Sequence, residues 1–284
     1  MTQERTNWRI HQDPNIKERN IFGSLLAAHD SETNRNLTQE ELIAEAGLFI
    51  IAGSDTTGSA ITATIFYVLN NKDCYLQLQK EIIDLFSHIE DIHTATALHQ
   101  CHYLQACITE AIRLSPGVSS ILPREVLDSG MKVDGIMFAA GTDISVASYA
   151  IHHNDEYYPE PFIFRPTRWL LASQHEGGVT PHELQVAISA YAPFSVGRAN
   201  CLGRNLAYQE IMTVIARLIY QYEMRVQSGS TLGQGRYAFG NGRHREHEFQ
   251  TWDRFVSYHE GPMVEYRPRE LYKSGQRLMG FPIS

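Results

Sequence analysis

Cysteine pairs are missing from this chain of 284 residues. Its four cysteines, Cys74, Cys101, Cys107 and Cys201, are too few and too scattered for a disulfide scaffold, and none makes a C-x-x-C pair. A disulfide-stapled secreted fold is excluded, and a reducing compartment is the natural reading. Positive charge is also short. Lys and Arg number 24 against 32 Asp and Glu, giving a net charge of −8, which argues against a nucleic-acid partner held through phosphates. Residues 1–20 carry no apolar core for a secretory signal. There is no internal repeat and no low-complexity tract. With 43% apolar and 20% charged residues, the chain can bury a sizeable core.

What is present is mostly helical. Ile21 to Ala28 reads as a short helix. Thr38 caps a longer one, and Glu41 three residues on completes a capping box. From Ala46 to Leu69 only Asp55 is charged. So long an apolar run raises a membrane span. Gly53 to Ser59 is polar or small at its centre, however, so a helix buried inside a soluble domain fits better. Asn70-Asn71 ends it. Cys74 to Phe86 and His102 to Leu114 read as further helices, the second stopped by Ser115-Pro116. The segments Lys132 to Ile136 and Thr142 to Val146 alternate and are expected to pair with each other. Tyr157 to Pro166 is an irregular aromatic loop, and Phe255 to Tyr266 a terminal hairpin turning at Glu260-Gly261-Pro262.

Three places carry chemistry. Cys201 lies between Phe194-Ser-Val-Gly and a helix-forming run, Leu206 to Tyr222, so a thiolate would face the positive end of a helix near Arg198 and Arg204. Such a soft anionic ligand suits a heme iron that cleaves O–O bonds. The plainer reading is a buried structural Cys. In Ala52-Gly53-Ser54-Asp55-Thr56-Thr57, the Thr56 hydroxyl can bond back to the Ala52 carbonyl, and Asp55 beside Thr56 offers a proton relay. The plainer reading is small residues admitting a neighbouring helix, although a buried Asp needs a reason. Glu110 and Arg113 share a helical face at i, i+3, and Arg168 could join them. His152-His153 invites a metal reading, but adjacent histidines in an extended stretch face opposite ways. His244 and His247 read as a solvated loop.

These motifs in this order, Ala-Gly-Ser-Asp-Thr-Thr, Glu-x-x-Arg, Phe-x-Pro-x-Arg-Trp and Phe-Ser-x-Gly-x-x-x-Cys-x-Gly, resemble the cytochrome P450 family of heme-thiolate monooxygenases. The resemblance implies a mainly α fold with small β-sheets (α+β). Residues 1–284 would form a single, incomplete domain, with the oxygen-binding helix at about 38–70 and the heme-thiolate loop at 194–203. It implies heme b as cofactor, with Cys201 as the axial ligand of the iron. Asp55 and Thr56 would be catalytic, delivering protons. Ala52, Gly53, Phe194, Gly197, Arg198 and Arg124 would bind the cofactor. Glu110, Arg113 and Arg168 would form a network holding the Cys loop from behind.

Ala199 stands where many members carry a propionate-binding arginine, so Arg198 would take over, and Thr167 stands where glutamate is usual. The oxygen-binding helix sits near the start rather than the middle, so the chain looks like the C-terminal part of a longer enzyme. The implied partners are O2, a small organic substrate and NADPH-cytochrome P450 reductase. A full-length parent would sit at the endoplasmic reticulum membrane on its cytosolic face, with no transmembrane anchor in this chain. The segments near Leu122-Pro-Arg-Glu-Val and Gly261-Pro-Met-Val look most like fungal enzymes of the benzoate 4-monooxygenase type and secondary metabolism. A non-catalytic remnant with poor heme binding is the alternative. A heme-thiolate isomerase or dehydratase is disfavoured by the retained Asp55-Thr56 pair.

Overall fold

The computed structural model describes residues 21–269 apart from 30, 31, 33 and 94. Residues 1–20, read above as free of a secretory signal, lie outside the described residues. The chain clusters into two compact units, Met1–Asp55 and Thr56–Ser284.

The first unit contains helix α1, Ile21–Leu26, and the opening turns of α2, Gln39–Leu69. The capping box forms as the residues dictate. The Thr38 N–H donates to Glu41 Oε2 at 2.7 Å, and the Glu41 N–H donates to Thr38 Oγ1 at 3.3 Å. The expectation that α2 is buried along its length fails here. Leu48, Ile50 and Ile51 are 58%, 56% and 61% exposed, and Ala52, Gly53 and Asp55 are exposed as well. An apolar run dictates helix, but burial requires a neighbouring surface, and within this unit none of the described residues covers this face. Among the described residues no helix is long and apolar enough to cross a membrane.

In the second unit the remainder of α2 is buried as expected, with Ala63, Phe66, Tyr67 and Val68 at 2% exposure or less. Around it pack α3 (Lys72–Leu85), the short α4 (Ala95–Leu98), α5 (His102–Leu114) and α8 (Arg204–Gln221). Two further helices, α6 (Ser148–His152) and α7 (Pro181–Ser189), flank the aromatic loop. Helix α5 is amphipathic and runs into the core, burying Leu104, Ile108 and Ala111 completely. It stops at the expected place, where the Ser115 N–H still reaches the Ala111 carbonyl at 2.8 Å and Pro116 forbids another turn. Helix α8 buries Ile211, Ile215, Ala216 and Ile219 through its i, i+4, i+8 stripe. Tyr67 ties these layers together. Its ring stacks on Phe164 at 5.2 Å, and its hydroxyl meets Ser115 Oγ at 2.9 Å and the Phe249 N–H at 3.2 Å.

Among the described residues the strands form four antiparallel pairs, whose partners differ from the expected ones. Lys132 to Ile136 does not pair with Thr142 to Val146. It folds on itself, with β2 (Met131–Val133) against β3 (Ile136–Phe138). Asp134 and Gly135 both take positive φ, 47° and 81°, which is what a two-residue primed turn needs. The segment after Thr142 instead supplies β4 (Asp143–Ile144), which pairs with β1 (Arg124–Glu125). The terminal hairpin is likewise re-partnered. Strand β7 (Val256–His259) pairs with β6 (Thr251–Arg254), while β8 (Val264–Pro268) reaches back to β5 (Tyr222–Val226).

The Gly-rich stretch from Gly229 is an ordered loop. A Cβ on Gly235 would stand 2.1 Å from the Arg245 carbonyl oxygen and 2.7 Å from that of Arg243. Both obstacles are backbone, and the Arg236 N–H donates to Arg243 O at 2.9 Å beside them. Gly235→Ala is therefore expected to cost about 1–3 kcal/mol, read as a lower urea midpoint at constant slope. An unchanged midpoint would mean that these two strands of loop do not hold this contact.

Candidate functional site

Glu110 and Arg113 are both 0% exposed, and Arg168 is 2% exposed. Burial at this level demands that every polar atom be met. Arg113 forks onto the Glu110 carboxylate through Nε at 2.8 Å and Nη2 at 2.9 Å. Arg168 Nε donates to Glu110 Oε1 at 3.3 Å. Two donors that the sequence did not reveal complete the shell: the Arg165 N–H at 3.1 Å and Trp169 Nε1 at 2.9 Å. Two guanidiniums against one carboxylate leave excess positive charge, which backbone carbonyls absorb. Arg113 Nη1 donates to His152 O at 2.7 Å and Pro161 O at 2.8 Å, and Arg168 Nη1 donates to Pro159 O at 2.9 Å. The Tyr158 ring lies 4.9 Å from the Arg113 guanidinium carbon. Burial opposes ionisation of Glu110, but the Arg113 charge and its hydrogen bonds, with Arg168 behind them, outweigh it and hold the carboxyl below its ordinary range.

The loop carrying Cys201 is a separate construction. The Cys201 N–H donates to the Phe194 carbonyl at 2.8 Å, closing the loop around a short 3-10 turn at Gly197–Ala199. Ser195 and Gly197 take positive φ, 59° and 69°. The turn needs both, and only glycine does so without strain. Gly203 then caps α8 with no side chain, so no side-chain oxygen takes the N–H groups of the first turn. The Cys201 thiol sits against that turn, with Sγ 3.8 Å from where a Gly203 Cβ would be. Contrary to the plain structural reading, Cys201 is exposed, whereas Cys101 and Cys107 are buried; all four cysteines are free.

Arg198 is exposed in the turn. The Arg204 guanidinium lies over the Phe194 ring at 5.7 Å. Phe194 packs on Tyr208 at 5.4 Å; the Tyr208 hydroxyl meets that of Tyr191 at 2.9 Å. Neither tyrosine stood out in the sequence, since an aromatic at helical spacing looks like ordinary core.

Arg124 is exposed in β1, and its Nη1 turns back to the carbonyls of Leu122 and Pro123 at 3.2 and 2.9 Å. Asp55 accepts from Ser54 Oγ at 3.3 Å and is exposed, so the cost of a buried carboxylate that singled it out does not arise. Thr56 is half-buried, and a Cβ on Gly117 would stand 3.3 Å from its Cβ, so that glycine keeps room beside Thr56. His152 and His153 are not in an extended stretch. They end α6, and both are drawn into the fold rather than into a metal pair. His152 is 0% exposed, and burial with the nearby Arg113 charge pushes its pKa down to about 3.

The residues 1–234 match the family model Cytochrome P450. The cytochrome P450 monooxygenase AKT7 of Alternaria alternata is 38% identical over 258 residues, covering 90% of this chain and 49% of that protein. A cytochrome P450 monooxygenase of Gibberella zeae is 36% identical over 257 residues, covering 90% of this chain and 57% of the relative. The chain thus spans about half the length of these relatives. Among solved structures, the retinoic acid-bound cyanobacterial CYP120A1 superposes with a TM-score of 0.72 at 24% identity, over 94% of this chain and 54% of that one. The cytochrome P450DA heme domain superposes with a TM-score of 0.75 at 18% identity, over 95% and 54%. Likeness at those identities speaks for the fold alone. The family match over most of the sequence does more: this chain belongs to the cytochrome P450 family.

Proposed function

We propose that this chain carries the thiolate side of a heme-thiolate monooxygenase, acting on a small organic substrate with O2. The observation that carries the reading is the exposed Cys201 thiol, held on a closed loop against the first turn of α8, which has no side-chain cap. The donor chemistry fits heme. Among the described residues no three His, Cys, Asp or Glu side chains gather to hold a bare metal ion. A porphyrin brings its own four nitrogens and needs from the protein a single soft ligand, which an exposed cysteine can be. The apolar side chains flanking it, Val196 at 71% and Leu202 at 90% exposure, suit a flat hydrophobic cofactor.

When bound, the heme would supply the redox chemistry that splits O2, and electrons would come ultimately from NADPH through a cytochrome P450 reductase. The chain's own part is positional. Cys201 would hold the iron, and the positive N-terminal end of α8 would favour its negative charge. The Glu110, Arg113 and Arg168 cluster would stiffen the ground behind the loop. Asp55 and Thr56, consecutive on α2, would move protons through the carboxylate and Thr56 Oγ1. Arg198 and Arg124 would meet heme carboxylates, and Ala52, Gly53 and Gly197 would leave room for the cofactor and O2. The relatives are described as monooxygenases without a substrate, so the substrate class stays at a small organic molecule, in fungal secondary metabolism. The parent enzyme would work at the cytosolic face of the endoplasmic reticulum.

A second reading is a non-catalytic remnant that binds heme poorly. One spectrum separates the two. The purified chain reconstituted with heme, reduced and exposed to carbon monoxide, is expected to show the red-shifted Soret band of a thiolate ligand. No retained heme, or an unshifted band, would favour the remnant.

A further inference from the structure

His152 is used by neither the buried ion pairs nor the thiol, yet it touches the supports of both. It is 0% exposed. Its backbone carbonyl accepts Arg113 Nη1 at 2.7 Å, which ties it to the Glu110 cluster. Its ring Nε2 accepts the Ala192 N–H at 3.2 Å. The ring also stacks on Tyr191, 5.7 Å between centroids and 22° between planes. Ala192 begins the Cys loop: its carbonyl takes the Ser195 N–H at 3.0 Å, and the next bond along joins Cys201 N–H to Phe194 O at 2.8 Å. The Tyr191 hydroxyl continues to Tyr208, on which Phe194 packs.

We propose that His152 is a positioning residue, and that its neutral ring is the joint through which the Glu110–Arg113 cluster holds the base of the Cys201 loop. The acceptor at Nε2 makes the ring a tautomer with its proton on Nδ1, an atom with no protein partner among the described residues. Protonation would convert Nε2 into a donor facing another donor, the Ala192 N–H. It would also add a cation where charge is already in surplus. The groups facing the ring are Arg113 and Glu110 from α5, His153 beside it, Tyr158 from the aromatic loop and Tyr191 ahead of the Cys loop. Of these only Glu110 is anionic, and Arg113 already occupies it.

Burial, then the Arg113 charge, holds the ring pKa down at about 3 against an ordinary 6.5. The unfolded chain therefore binds the proton first. The contribution to stability is full above 6.5 and is lost as pH falls towards about 3.

The thiolate-ligand reading gives this loop its importance, but the test needs no heme. Amide hydrogen exchange is measured on the full 284-residue chain. His152→Phe keeps a flat ring against Tyr191 and removes the acceptor; His152→Gln keeps an acceptor that does not titrate. His152→Phe is expected to speed exchange in peptides covering 192–201 by roughly fivefold, the loss of one hydrogen bond, while α8 peptides over 211–219 change little. His152→Gln is expected to restore the loop. In the parent chain, loop exchange corrected for its intrinsic pH dependence should rise as pH falls towards about 3, and His152→Gln should flatten that rise. Equal acceleration in loop and α8 would make His152 mere core filling and overturn the proposal. So would an unchanged loop in His152→Phe, or the same acid rise in His152→Gln. A chain that retains no heme but passes these tests would sink the monooxygenase reading and leave this one standing.

Discussion

Glu110→Ala is expected to lower stability by about 3–5 kcal/mol, the cost of removing one partner from a buried ion pair. The magnitude follows from what is left behind. Arg113 and Arg168, at 0% and 2% exposure, would keep their charges, because a guanidinium does not deprotonate in a protein. Both would lose their only carboxylate among the described residues, and the Arg165 and Trp169 N–H groups would lose an acceptor. Among the described residues no surface pair carries such a cost. Arg225–Glu265, at 61% and 41% exposure, belongs to the class worth about 0–1 kcal/mol.

Urea unfolding of parent and variant at pH 7 measures the difference. Glu110→Gln should lie between them, since its amide oxygen still accepts but carries no charge. A loss below about 1 kcal/mol for Glu110→Ala would mean that water reaches the cluster and the packing described here is wrong. The acid side offers an independent check. The folded Glu110 carboxyl is held below its ordinary 4.5, so its contribution is present above 4.5 and lost as pH falls through the lower folded value. Arg113 titrates far outside this window and adds nothing to it.

Cys201→Ser is expected to abolish the thiolate-type Soret band outright, without a comparable loss of stability. A serine oxygen is too hard and too weakly acidic to replace a thiolate on heme iron. The residue is exposed, so the substitution removes no core packing. The other cysteines cannot stand in. Burial pushes the Cys101 thiol up to about 12 and Cys107 well above its ordinary range, and it raises Cys74 too. The same contrast gives a readout without heme. Iodoacetamide should label the parent rapidly at one site, and Cys201→Ser should lose that rapid phase. Fast labelling that persists in the variant would locate the reactive thiol elsewhere. A retained thiolate band would remove Cys201 from the proposed site.

Much of this was legible before any fold was known, and the part that was not has a common cause. Helix α5 runs over His102–Leu114, the span its periodicity and Ser115-Pro116 predict. The Thr38–Glu41 box was equally clear, because caps and proline stops act within a few residues. Strand partners were misjudged. Alternation marks a strand but not its neighbour, and β5 finds β8 across some forty residues. The primed turn at Asp134-Gly135 was the local signal that could have corrected β2 and β3.

The sequence by itself determined the chemical inventory: one cysteine ahead of a helix, an acid and a base one turn apart, an arginine in an aromatic loop, and an acid beside a hydroxyl in an apolar helix. The family followed from their order. Only the tertiary structure decided which of these are buried. It sank Glu110 and both arginines to nearly zero exposure and closed Trp169 and the Arg165 N–H onto them. It left Asp55 exposed. It also drew in His152, for which the sequence had argued only against a metal pair with His153. The reason is physical. Residue type and spacing act through the local backbone, whereas burial and hydrogen-bond satisfaction depend on surfaces that meet from distant parts of the chain.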